Sequence, residues 1–139
     1  MANKNHFVLL GGAEHIDFFR ENHHFVDHQW FWTVPKTAKK GDIGFVYLCA
    51  PVSRIVGQLE FMKEPFFNTV TFPQFKNNWM AEVGNVQYFE TRQEITIKGL
   101  RKLFPDWKWL LYPRGKTKVP AEILQPLLEL LRGDDAAKI

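Results

Sequence analysis

The sequence predicts an α/β (α+β) fold, a small, curved, mostly antiparallel sheet or open β-barrel flanked by short helices. Three observations lead there. About five to seven short apolar segments follow one another, separated by tight turns marked with Gly, Pro or Asn. Helical patterns occur near the start, the middle and the end of the chain rather than after every strand, which argues against a doubly wound sheet. The length of 139 residues, with 45% hydrophobic and 24% charged side chains, is that of one domain with a real core and not of a disordered chain.

Taken in order, His6–Leu10 is an apolar strand closed by Gly11-Gly12. Glu14–Asn22 places Ile16, Phe18 and Phe19 near helical spacing with acids in its first turn, so a short helix follows. His23–Gln29 is polar. Gln29–Val34 alternates aromatic and other residues before Pro35, as an extended segment entering a turn does. Lys36–Lys40 is a basic turn ended by Gly41-Asp42. Ile43–Leu48 and Ile55–Met62 are strands joined by a turn over Pro51–Arg54. Glu64–Asn78 holds two prolines and four phenylalanines without a period and reads as a loop or lid. Trp79–Val83 and Val86–Phe89 read as a hairpin around Gly84-Asn85. Arg92–Ile95 adds a short strand, and Ile97–Phe104 a helix capped by Thr96 and stopped by Pro105. Trp107–Tyr112 reads as extended, and Pro113–Lys118 as a basic loop. Pro120–Leu131 is an amphipathic helix burying Ile123, Leu124, Leu127, Leu128 and Leu131. Residues 1–132 thus form the domain, and Gly133–Ile139 a tail or the start of a linker.

Several function classes lack their signatures. No apolar run nears the roughly 20 residues of a spanning helix, so no membrane role is expected. The amino terminus reads as a first strand and not as a signal peptide. Cys49 is the only cysteine; with no disulfide and no thiolate metal cage available, the expected setting is reducing and cytoplasmic. Gly11-Gly12 has no phosphate-loop continuation, and Ser53, the only serine, lies in a turn and not in a nucleophile elbow. Cys49 ends an apolar strand and reads as a structural thiol. His15, His23, His24 and His28 share a stretch with Asp17, Glu21 and Asp27, but no metal-ligand spacing orders them, so a solvated segment is expected, with no metal and no cofactor. Neither Glu60 with Glu64 nor Asp134 with Asp135 is marked as an acid–base pair.

What remains is aromatic and basic. Aromatic residues make up 15% of the chain, with 13 Phe and 5 Trp, and the net charge is +3, a combination suited to a flat, anionic partner such as a nucleic acid. Trp30 and Trp32 are two apart, so in an extended segment they share a face next to the turn carrying Lys36, Lys39 and Lys40. Two readings are open for the pair: ordinary core, or two indoles that sandwich a planar ring. Thr33 continues that segment. Phe66, Phe67 and Trp79 flank the proline-broken loop and are placed to close the other side of a pocket. Arg114, Lys116 and Lys118 alternate in the basic loop and are either solubilising or phosphate-binding.

These residues also carry a resemblance. Trp32 with Val34-Pro35-Lys36, Lys40-Gly41-Asp42, the strand Phe45-Val46-Tyr47, then Ile55-Val56-Gly57 and Glu64-Pro65-Phe66, resembles EVE domains of the PUA-like superfamily. Trp107 to Val119-Pro120, before a closing helix, is similar to that family's last strand and helix, so the resemblance spans nearly the whole chain. It implies a PUA-like, curved open barrel related to YTH domains, with a pocket for one modified base, of 5-methylcytosine or N6-methyladenine type, flipped from its strand. It places Trp32 and Trp30 in the pocket, with Phe66 or Phe67, Trp79, and Gly11-Gly12 where the family keeps base-contacting residues. Here two glycines leave only backbone groups at that position.

The function expected is therefore a non-catalytic binding module for nucleic acid carrying a modified base, DNA ahead of RNA. It would serve as the specificity domain of a modification-dependent restriction system, fused to or partnered with a nuclease or NTPase subunit. The alternative is an RNA-binding or ASCH-like ribonuclease domain, for which Lys40, Tyr47 and Tyr112 are available. A third reading is a pocket for a small molecule or a protein partner.

Overall fold

A computed structural model describes residues 4–21 and 30–132 of the chain. Strand β1 (His6–Gly11) is followed by a 3-10 turn (Ala13–His15), helix α1 (Ile16–Glu21) and β2 (Trp30–Thr33). Next come β3 (Ile43–Leu48), β4 (Arg54–Phe61), β5 (Phe66–Asn68), a 3-10 turn (Pro73–Phe75) and β6 (Asn78–Tyr88). A 3-10 turn (Gln93–Ile95), α2 (Ile97–Leu103), another 3-10 turn (Lys108–Leu111), β7 (Lys116–Lys118) and α3 (Ala121–Arg132) complete the order.

The sheet runs β2-β6-β4-β3-β1-β7, with β5 also paired to β6. β1 lies parallel to β3, and the other pairs are antiparallel, so the sheet is mixed. β1 and β2 are not neighbours in this order. Yet a Cβ added to Gly11 at the end of β1 would lie 2.9 Å from Cζ2 of Trp32 in β2. The sheet has therefore curled until its β2 edge approaches β1, which makes it an open half-barrel.

Curling buries both faces, as the near-continuous apolar runs of β1, β3 and β4 require. The inside holds Phe7, Leu9, Val46, Leu48, Leu59, Phe61 and Val83 around Phe19 of α1. The outside of β1 and β3 presents Val8, Phe45 and Tyr47 to α2, α3 and the 3-10 turns, through Leu100, Trp107, Leu110, Ile123 and Leu127. Alternate residues of one strand feed two cores.

Five sequence expectations change. Gly84-Asn85 does not turn a hairpin; β6 is one 11-residue strand. Gly84 pairs Glu60 and Gln87 pairs Gln58, so Asn85 and Val86 stand opposite Leu59 as a bulge. Asn85 takes φ 47° there, and its Nδ2 donates to Glu60 Oε1 at 2.8 Å. The Glu64–Asn78 loop contains β5, and the Pro113–Lys118 loop contains β7, each borrowing a longer strand as template. Gln93–Ile95 is a 3-10 turn and not a strand. Trp107–Tyr112 is not extended: Lys108–Leu111 is a 3-10 turn that lets Trp107 and Leu110, three apart, bury together.

Helix α2 starts where the sequence indicates, with Thr96 Oγ1 accepting from the Gly99 N–H at 3.1 Å. In α3, Ile123, Leu127 and Leu131 are buried, Leu124 and Leu128 are half-buried, and Pro126 sits inside the helix without ending it. Among the described residues no helix is long and apolar enough to cross a membrane. Asn22, the histidine-rich stretch of His23, His24, Asp27 and His28, Gln29, and the tail Gly133–Ile139 lie outside the described residues.

Candidate functional site

A cavity of about 520 Å³ opens where the β2 edge approaches β1. That is the size of a small-molecule pocket. One wall is the end of β1 and β3, with Leu10, Gly11, Gly12 and Cys49; the second is Glu14, His15 and Phe18 at the start of α1; the third is Trp30, Phe31, Trp32 and Thr33 of β2. Phe75, from the turn after β5, joins them.

The two indoles share a face because β2 is extended and pairs Trp30 with Val83 and Trp32 with Ala81 of β6. The core reading holds for Trp32, which nonetheless keeps an edge on the cavity. Trp32 is 9% exposed and belongs to the inner core, while it also lines the cavity. Phe18 meets Trp30 edge-on with centroids 4.9 Å apart, and His15 meets Trp32 in the same way at 5.2 Å. Phe19 braces Trp32 from behind at 5.7 Å. Such edge-to-face contacts hold aromatic planes in fixed orientations.

The polar groups are few. The Gly11 carbonyl accepts from the Cys49 N–H and the Gly12 carbonyl from the His15 N–H, so both already hold one donor. The Glu14 carboxylate folds back over Gly12, where an added Cβ would collide with it. His15 Nε2 lies 3.8 Å from Glu14 Oε2. Among the described residues no group of three or more His, Cys, Asp or Glu is arranged to hold a metal ion.

Gly11, Gly12, Trp30, Trp32 and Thr33 thus meet at one cavity, while Phe66, Phe67 and Trp79 do not line it. Phe66 packs edge-on against Phe31 at 6.0 Å, and Phe67 meets Trp79 at 5.6 Å, a pair of which Phe67 is half exposed. The alternation of β5 and its pairing to β6 turn these rings to other neighbours. Leu10, Glu14, His15, Phe18, Phe31, Cys49 and Phe75 were not singled out as pocket residues. Their types read as core, helix start or loop, and only the curl of the sheet brings them together.

The two basic segments separate. Lys36, Lys39 and Lys40 are exposed on the turn that enters β3, which Asp42 holds by accepting from the Asn5 and Lys39 N–H groups. Cys49, on the cavity wall, lies at the far end of β3 from this turn, while Thr33, also on the wall, precedes Lys36 by only three residues. By contrast Arg114, Lys116 and Lys118 run beside β1, whose end lines the cavity: Lys116 pairs Leu9, and the Gly115 carbonyl accepts from the Leu10 N–H. Lys116 is half-buried, burial pushes its ammonium pKa down, and its Nζ donates to Asn78 Oδ1 at 3.4 Å. Lys40, Tyr47 and Tyr112 do not assemble: Lys40 is exposed on the turn before β3, Tyr47 is buried under Trp109 at 5.5 Å, and Tyr112 is 77% exposed. Burial pushes the Tyr47 phenol pKa up.

No protein-family model matches the sequence, and no curated protein matches it. Solved structures do match in fold. ASCH from Zymomonas mobilis is 13% identical at a TM-score of 0.64, over 92% of this chain and 96% of that one. Human THYN1, solved in complex with DNA containing 5-methylcytosine, is 12% identical at 0.65, over 94% and 99%. A Rhodopseudomonas palustris protein is 15% identical at 0.66, over 91% and 92%. The fold is therefore PUA-like, the frame shared by ASCH proteins and THYN1.

Proposed function

We propose that this chain is a non-catalytic, EVE-type module that takes one modified base, flipped out of DNA, into the Trp30–Trp32 cavity. One observation carries the reading: a 520 Å³ cavity walled by aromatic side chains and glycine backbone, in a fold like that of a protein solved on 5-methylcytosine DNA. Stacking on aromatic side chains is worth roughly 1–3 kcal/mol per base, enough to offset much of the few kcal/mol that flipping costs. A methyl group adds only about 0.8 kcal/mol on burial, so a close-fitting, dry wall is needed to read it. Arg114, Lys116 and Lys118, beside the cavity, are the phosphate contacts in this reading. Lys36, Lys39 and Lys40, on the turn that follows β2, would meet further phosphates. The base is of 5-methylcytosine or N6-methyladenine type, and the module supplies specificity to a restriction nuclease or NTPase partner.

A titration of the protein against oligonucleotides with and without the modification, at fixed salt because phosphate contacts make affinity steeply salt-dependent, tests this. Trp30→Ala, which spares the more buried Trp32, is expected to weaken binding of the modified strand about tenfold or more. Equal, weak binding of all strands, unchanged by the substitution, overturns it. The likeness to ASCH favours one second reading, an RNA-processing domain. Labelled RNA that is cleaved on incubation with a divalent ion would carry that reading instead.

A further inference from the structure

Thymine carries the same 5-methyl group as 5-methylcytosine. The two differ at position 4, where cytosine presents an amine and thymine a carbonyl oxygen, and in the ring N3 beside it. An aromatic wall that reads the methyl group alone therefore accepts every thymine it meets. A reader of methylated cytosine needs a hydrogen-bond acceptor facing the 4-position, where it attracts the amine and repels the thymine oxygen.

Neutral acceptors at the cavity include the Thr33 hydroxyl and backbone carbonyls, and a carboxylate accepts more strongly than these. The Gly11 and Gly12 carbonyls each already hold a backbone N–H. Of the described side chains lining it, Glu14 supplies the one carboxylate. Its oxygens are folded over Gly12 into the space a side chain would occupy there, with His15 at 3.8 Å beside them. The glycine that removes a side chain from the wall makes room for this carboxylate. Glu14 is 74% exposed, so it sits at the rim and keeps its water until a base enters.

We infer that Glu14 is the specificity residue of the cavity, accepting a hydrogen bond from the exocyclic amine of the bound base and so admitting amino-bearing bases while rejecting thymine. This rests on the base-reading function proposed above. A carboxylate paired with a cytosine-type amine is an established mode of readout, and it discriminates by about tenfold or more.

The test uses single-stranded DNA oligonucleotides identical except for one 5-methylcytosine, cytosine or thymine, at fixed salt, with the wild-type chain, Glu14→Gln and Glu14→Ala. Wild type is expected to prefer 5-methylcytosine to thymine by about tenfold or more. Both variants are expected to bring that ratio close to one, and Glu14→Gln, whose amide also donates, to gain affinity for thymine. Unchanged melting of the variants, expected for so exposed a side chain, shows that they fold. If both variants keep the wild-type ratio, or wild type fails to separate the two bases, the assignment of Glu14 is overturned while methylated-base binding stands. If wild type binds 5-methylcytosine no better than cytosine and, in matching strands, N6-methyladenine no better than adenine, the function itself is overturned, and the two failures are told apart.

Discussion

At the residue scale, Gly11 sets how far Trp32 can withdraw from the cavity. A Cβ there would lie 2.9 Å from both Trp32 Cζ2 and Leu48 Cδ2, closer than real side chains approach. Leu48 is fully buried and Phe19 braces Trp32 on one side, so the indole can give way only toward the cavity. Gly11→Ala is expected to cost about 1–3 kcal/mol in urea unfolding, as overpacked cores do. It should also weaken base binding by pushing the indole into the cavity, which the same titration reads. Gly11 and the two tryptophans were legible in the sequence because period two and a glycine pair are local signals. Glu14 and His15 were not: an acid opening a helix and a histidine after it look like ordinary helix chemistry until the sheet curls them onto a wall.

Among the elements, α2 shows what local chemistry decides unaided. Thr96 caps it, and its hydroxyl in turn donates to the Gln93 carbonyl at 2.7 Å. Thr96→Ala is expected to lower stability by about 1 kcal/mol, measured by chemical denaturation, with little change at the cavity. Long, strongly apolar strands such as β3 and β4 were equally legible. The failures share one cause. Gly84-Asn85 has the composition of a tight turn, but each half of β6 finds another partner, β2 and β5 on one half and β4 on the other, and the positive-φ residue serves a bulge instead. β5 and β7 are three residues each and exist because a neighbouring strand is already in place. Tertiary pairing, which no local window contains, overrode the turn signal.

For the whole molecule, burying both faces of one sheet leaves some titratable groups inside. His6 stacks on Phe45 with centroids 5.6 Å apart, and its Nδ1 is buried with no hydrogen-bond partner among the described residues. Burial, only partly offset by Asp42, holds the His6 imidazole below its ordinary value. The folded state thus resists a proton that the unfolded chain takes readily. The stability that His6 protects is complete above the ordinary imidazole pKa of about 6.5 and declines as the pH falls below it. Melting temperatures from pH 7.5 to 5.5 should fall, and His6→Phe should flatten that decline relative to wild type. The curled sheet has one further consequence, at its β7 edge. An unpaired strand edge is a template for another chain, and long apolar edges drive aggregation. Among the described residues this edge is three residues long, KTK, with Thr117 and Lys118 exposed and Lys116 half-buried beside Asn78. The lysines beside the cavity thereby discourage a second molecule from zipping onto the barrel, and help to keep a chain with 13 phenylalanines dispersed in water.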